Sequence, residues 1–228
     1  KTVNFVSKKI IISLILSFLK IKPYKHLVSG KISRLESENK FGNRIQIKGF
    51  SFDYQIYYSV QKQETKEKYK DKIIFIDSDL PQPFDFKKDN KKTFLNGDIY
   101  WKKINNFLSI IEKRFDKKVI IARHPRGNIN KKISNYETVQ GATANLIKDC
   151  HCIVTHNSNA LQYAIMFKKP IIFISTDEFE NNIEAFGWYA DQVTQSMELK
   201  KKVINIDSLN YLDLDKQINV NESIYEEY

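Results

Sequence analysis

Two short stretches set imidazole, guanidinium, hydroxyl and amide groups where an apolar run gives way to polar residues. They are Arg123-His124-Pro125-Arg126, after Val119–Ala122, and His156-Asn157-Ser158-Asn159, after Cys152–Thr155. Imidazole and guanidinium donate to phosphate or carboxylate oxygens, and one arginine can engage two oxygens at once. Pro125 fixes the chain direction between His124 and Arg126. In the second stretch Asn157 or Ser158 suits the cap of a following helix, with His156 aimed at a ligand. A third stretch, Gly141-Ala142-Thr143-Ala144, opens a helix whose first N–H groups and Thr143 hydroxyl can receive an anion. Each has a plainer alternative: Arg126 in a surface ion pair, Thr143 as a simple cap, His156 as a structural core residue. Asp77, Asp79 and Asp85 surround a proline-containing loop, where carboxylates serve as a base, hold a metal or simply form turns. The chemistry expected is the binding of an anionic, phosphate-bearing ligand, with imidazole and carboxylate available for proton transfer.

Several classes are excluded. There is no G-x-G-x-x-G and no Walker-type loop, which argues against dinucleotide cofactors and P-loop ATP hydrolysis. No G-x-S-x-G appears, which argues against an ordinary α/β-hydrolase. The only cysteines, Cys150 and Cys152, flank His151 and lead into an apolar run, so they read as buried small residues. With no second ligand pair at zinc-like spacing, no metal site is expected. Two cysteines also make no disulfide framework and point to a reduced, cytosolic setting.

The elements that must position these residues follow from the pattern of apolar runs. Ile73–Ile76, 119–123, 152–155, 171–175 and 203–206 read as strands covered on both faces. Between them, helices are expected over 98–114, 142–149, 158–167 and 178–199, with a short extended piece near Tyr136–Val139. Strands alternating with helices make βαβ units, hence α/β architecture with a mostly parallel sheet and helices on both faces. Right-handed crossovers then bring the strand C-termini to one edge, which carries Asp77, His124, Arg126, His156, Ser158 and Thr176. Residues 1–68 form a smaller unit ahead of the regular part at 69–228. It holds a helix over 4–20, strand-like segments at His26–Ser29 and Arg44–Lys48, and a helix capped by Ser51 or Asp53.

The 228 residues suffice for one sizeable core, and 42% hydrophobic content describes a folded chain. The net charge is +10, but only five of the 37 basic residues are arginines, and no arginine–aromatic cluster or nucleic-acid module accompanies them. An anionic substrate or membrane surface accounts for the charge better than nucleic acid does. The longest apolar stretch, Ile10–Leu19, is too short to span a bilayer, which needs about 20 residues. Flanked by lysines, it suits an amphipathic or buried helix, and no small-residue cleavage site follows it. The start at Lys1 fits a piece of a longer protein.

The order Phe75-Ile76-Asp77, Tyr100, Ile120 to Arg126, Thr143 to Ile147, Thr155 to Asn159 and Phe167 to Ile172 resembles the C-terminal half of GT-B glycosyltransferases. Within them it is most similar to bacterial capsule and lipopolysaccharide enzymes related to sialyl- and Kdo-transferases. There a strand ending in His-Pro, and a later His-x-Ser turn before an Ala…Lys-Pro-Ile-Ile stretch, surround the nucleotide of the sugar donor. The resemblance covers about residues 72–176 and implies a Rossmann-like fold binding a CMP- or UDP-linked sugar. By that likeness His124, Arg126, His156, Ser158 and Asn159 contact the donor, with Thr143 nearby; His124 and, from the loop carboxylates, Asp77 are the catalytic candidates. It implies no separate cofactor or bound metal, a glycan acceptor as second partner, and a cytoplasmic location extending to the inner membrane face. A complete GT-B enzyme has two Rossmann-like domains and usually draws its catalytic base from the first, whereas only 1–68 precede the regular half here. The alternatives are a sugar-nucleotide epimerase of similar architecture and a non-catalytic binding or assembly module.

Overall fold

A computed structural model of the chain describes residues 25–28, 45–49, 51–64, 66–81, 95–127, 134–182 and 186–227. The helix expected over 4–20, its membrane contact, and Pro83 and Asp85 lie outside the described residues. The chain divides into two compact units, Lys1–Gln55 and Ile56–Tyr228. The division falls within a helix rather than at the 68/69 boundary read from composition. The physical reason is that Ile56, Tyr57 and Val60 pack into the core of the second unit.

In the first unit β1 (Lys25–Val28) and β2 (Ile45–Lys48) pair in parallel, with Lys25 opposite Ile45 and Val28 opposite Lys48. The division runs through helix α1 (Phe52–Gln61), which Ser51 rather than Asp53 caps. The Ser51 hydroxyl and carbonyl both accept from the Tyr54 N–H at 3.1 Å, taking up a first-turn donor.

The second unit is built on a six-stranded sheet: β3 (Ile73–Ile76), β4 (Val119–Arg123), β5 (Glu137–Gln140), β6 (Cys152–Thr155), β7 (Ile171–Ser175) and β8 (Val203–Asn205). All neighbours are parallel, and the spatial order is β5-β4-β3-β6-β7-β8. Counted from β3 this is 3-2-1-4-5-6, the Rossmann order, so the expected fold class is the one the second unit adopts.

Alternation along each strand divides the core in two. Ile73, Phe75, Val119, Ile121, Cys152, Val154, Ile172 and Ile174 face one layer, which includes Tyr100, Ile104, Phe107, Leu108 and Ile111 of helix α2 (Gly97–Phe115). Ile74, Ile76, Ile120, Ala122, Ile153, Ile171 and Phe173 face the other layer. It is filled from α1, α3 (Thr143–Lys148), α4 (Leu161–Met166) and α8 (Glu222–Glu227). Burial on both sides is what makes these strands continuous apolar runs.

Asn96 caps α2, its side-chain oxygen accepting from the Asp98 and Ile99 N–H groups at 3.1 and 3.2 Å. The long helix expected over 178–199 is two helices, α5 (Asp177–Glu180) and α6 (Phe186–Glu198). Thr176 caps the start of α5, and Asn181 closes it by donating from backbone and side chain to the Asp177 carbonyl at 3.0 and 2.8 Å. Beyond β8 come a 3-10 turn at Ile206–Ser208, α7 (Tyr211–Lys216, capped by Asn210) and α8, none of which the apolar pattern signals. Tyr225 of α8 ties this tail down by donating to the Lys169 carbonyl at 3.1 Å.

Candidate functional site

Parallel strands share one C-terminal edge, and where the strand order reverses, two neighbouring strands send their following loops in opposite directions and open a crevice. Here that point lies between β3 and β6. Asp77 and Ser78 leave β3 there, and His156 and Asn157 leave β6. The Ser78 hydroxyl donates to the Asn157 carbonyl at 2.9 Å, so the two loops are joined across the reversal.

Beneath this edge lies a row of buried polar side chains. Ile76 is opposite both Ala122 and Thr155, so one residue further along Asp77 stands level with Arg123 and His156. Asp77 and Arg123 form an ion pair at 3.1 Å with essentially no side-chain exposure. Asp77 Oδ1 accepts from the Asp79 N–H at 2.9 Å, a local turn that holds Asp79 in the left-handed region at φ 58°. Burial pushes the Asp77 carboxyl up to about 6, against the pull of the Arg123 guanidinium.

His156, 1% exposed, completes the row. Its Nε2 pairs with the Tyr100 hydroxyl at 3.1 Å, and its ring packs against Tyr100 and Phe179 with centroids 5.7 and 5.4 Å away. Burial draws its pKa down to about 4, although the Ile174 carbonyl favours the protonated ring. His156 is therefore a neutral imidazole at physiological pH, and Tyr100, deeply buried and near Asp77, keeps its phenolic proton.

The groups presented outward belong to three turns. After β4, His124 is half-buried, and Pro125 and Arg126 are exposed. The Arg126 N–H donates to His124 Nδ1 at 3.2 Å, which places the proton of the neutral ring on Nε2. The Gly127 N–H closes the turn on the His124 carbonyl at 2.8 Å. A Cβ on Gly127 would come within 3.0 Å of Arg123 Nε and 3.1 Å of the His124 oxygen, so a side chain there would press on both neighbours.

After β5, Gly141 turns the chain at φ 77° into α3. Its N-cap is Ala142, which makes no side-chain capping bond, so Thr143 is the first helical residue rather than the cap. After β6, the Ser158 hydroxyl accepts from the Ala160 N–H at 3.2 Å, while Asn159 is exposed. Ser158, not Asn157, shapes the entry to α4, which begins at Leu161.

Of the seven predicted site residues, Asp77 and His156 thus lie under the edge. His124, Arg126, Ser158 and Asn159 stand on turns along it, and Thr143 opens α3. Asp79 is buried and forms a turn. Cys150 and Cys152 sit in the core, where burial pushes the Cys150 thiol up to about 12 and Cys152 well above its usual value. Residues that sequence reasoning did not single out are Ser78, Arg123 as partner of Asp77, Tyr100 as partner of His156, and Gln140. A charged residue ending an apolar run, as Arg123 does, signals a paired charge; the identity of the pair needs the strand order. Gln140 carries no such signal.

No family model matches the sequence, and no curated protein matches it. Among solved structures the chain is similar to the glycosyltransferase SnogD from Streptomyces nogalater, at 12% identity and TM-score 0.40, over 69% of this chain and 37% of that one. It is also similar to the UDP-GlcNAc 2-epimerase of Methanocaldococcus jannaschii, solved with UDP-GlcNAc and UDP. There the identity is 15% and the TM-score 0.44, over 95% of this chain and 77% of that one. The chain thus spans little more than a third of SnogD's length.

Proposed function

We propose that the chain is the donor-binding half of a nucleotide-sugar-dependent glycosyltransferase serving bacterial surface-polysaccharide synthesis. One observation carries this reading: the strand order reverses between β3 and β6, and the turns bearing His124, Arg126, Ser158 and Asn159 flank that reversal. His124, with its proton on Nε2, offers a donor to a phosphate oxygen, and exposed Arg126 offers the charge that a leaving nucleotide requires. Fixed donors at such a position supply about 3 kcal/mol each to the stabilisation of developing charge. Ser158, Asn159 and the N–H groups opening α3 at Thr143 complete the polar lining. Asp77 and His156 serve from below: the Asp77–Arg123 pair and the His156–Tyr100 pair hold the crevice floor in shape. His124 is then the side chain placed to handle a proton, and Asp77 supports it through Arg123 and the β4 end.

The sugar donor is a CMP- or UDP-linked species in this reading, with a glycan as acceptor. Thermal shift against CMP, UDP and GDP tests it first, because a ligand stabilises only the state it binds. His124→Ala and Arg126→Ala should each weaken nucleotide binding about tenfold or more in calorimetry, the usual loss for a hydrogen bond to a charged group. Unchanged affinity in both would overturn the reading. Product analysis then assigns the reaction, since transfer needs an acceptor sugar and epimerisation does not. Liposome flotation, with Leu14→Glu as control, tests membrane contact of the apolar Ile10–Leu19 stretch.

A further inference from the structure

Gln140, the last residue of β5, sends its side-chain amide into the turn that carries His124 and Arg126. Its Nε2 lies 2.9 Å from the His124 carbonyl, 3.1 Å from the Pro125 carbonyl and 3.1 Å from the Gly127 carbonyl. Three acceptors around one atom fix the amide with its nitrogen inward, and its two N–H groups are shared among them. Carbonyl dipoles converging in this way repel one another unless a donor stands between them. Without it the turn relaxes by rotating at least one peptide outward. What then remains is the Gly127 N–H bond to the His124 carbonyl and the Arg126 N–H bond to His124 Nδ1, and both depend on those same peptides.

The register explains why Gln140 is available for this: β5 is the edge strand, and Arg123 stands opposite Gln140. The side chain ending β5 therefore reaches the loop that leaves β4. Gly141, directly after it, turns the chain toward Thr143. One amide thus ties the His124–Gly127 turn to the start of the Gly141–Thr143 turn.

We propose that Gln140 is the positioning residue of the candidate site: it sets the shape of the His124–Gly127 turn, fixes the His124 tautomer through the Arg126 N–H, and so aims His124 and Arg126 at an anionic ligand. The link to an anion rests on the nucleotide reading above; the link to the turn does not.

The test uses Gln140→Met, which keeps the length and removes the donor, and Gln140→Glu, which sets a carboxylate against three carbonyls. Long-range proton–nitrogen correlation of the imidazoles reports the His124 tautomer in the ligand-free protein, and calorimetry with UDP and CMP reports affinity. The expected result is an Nε2–H ring in the wild type, a mixture of tautomers in both variants, and affinity about tenfold lower in Gln140→Met and lower still in Gln140→Glu. Both variants leave three carbonyls without their shared donor, so thermal melting should fall in each, more in Gln140→Glu, while a cooperative melt above the assay temperature shows that the fold persists. An unchanged tautomer in both variants overturns the proposal, as does unchanged affinity where the tautomer has shifted. If the wild type binds neither nucleotide while the variants still lose the tautomer, the nucleotide reading falls and the hold of Gln140 on the turn stands.

Discussion

His124 and His156 have the same setting in the sequence: each follows an apolar run, and each is followed by small or turn-forming polar residues. In the structure they have opposite fates. His156 is sealed under the sheet edge, neutral and paired with Tyr100, whereas His124 stands half-buried on a turn with Arg126 exposed beside it. Register accounts for the difference. One residue past the paired Ile76, the sheet sets Arg123, Asp77 and His156 level on the same face. The counterpart of His156 on β4 is therefore Arg123, and His124, one residue further on, has already left the sheet. Two similar motifs become a floor and a wall because their strands end one residue apart.

This contrast can be broken by substitution. The largest effect should come from Arg123→Met, which removes the cation paired with buried Asp77, makes that carboxyl take up a proton to stay buried, and should cost about 3 kcal/mol in denaturant unfolding. Arg126→Ala, three residues away, should stay within about 0.5 kcal/mol. Comparable losses at the two positions would mean that the exposed turn is structural too.

Next in size is Tyr100→Phe. It strips His156 Nε2 of its buried partner and should cost about 1–3 kcal/mol without altering nucleotide affinity. Smaller again is Asn96→Ala, which removes the cap of α2 and should cost about 1 kcal/mol in thermal or chemical unfolding.

A pH experiment sharpens the comparison further. The pKa of His156 is lowered from 6.5 to about 4 on folding, so its neutral state contributes stability in full above 6.5. That contribution is lost as pH falls toward 4. Asp77 moves the other way. Raised from 3.8 to about 6, it contributes stability in full below 3.8 and loses it as pH rises through 6. Between pH 7 and 5 the two offset each other in the wild type. His156→Gln removes one side of that balance, so its stability deficit against the wild type should narrow on going from pH 7 to 5. A deficit that is constant across that range would show that His156 is not held neutral by burial.

The sequence exposed the sheet well because β3, β4, β6 and β7 are buried on both faces, and such strands must be written as unbroken apolar runs. It also placed the turns after β3, β4 and β6 on one edge, since right-handed crossovers leave no other arrangement. Spatial strand order was not legible, and with it went the Asp77–Arg123 pair, which joins residues far apart in the chain. The depth of His156 was hidden for the same reason: a one-residue difference in where a strand ends depends on pairing, not on composition. The tail after β8 was missed because α7 and α8 are six residues each, too short for a helical period to show; tertiary contacts such as buried Leu214 and the Tyr225 hydrogen bond to the Lys169 carbonyl hold them.

The most direct test of the account follows the histidine imidazole resonances while UDP or CMP is titrated into the intact chain. The account predicts that His124 shifts saturably, with the affinity found by calorimetry, while His156 remains at the position of a neutral, buried ring. Saturation at His156 with His124 unmoved would contradict it, and so would the absence of any saturable shift at His124.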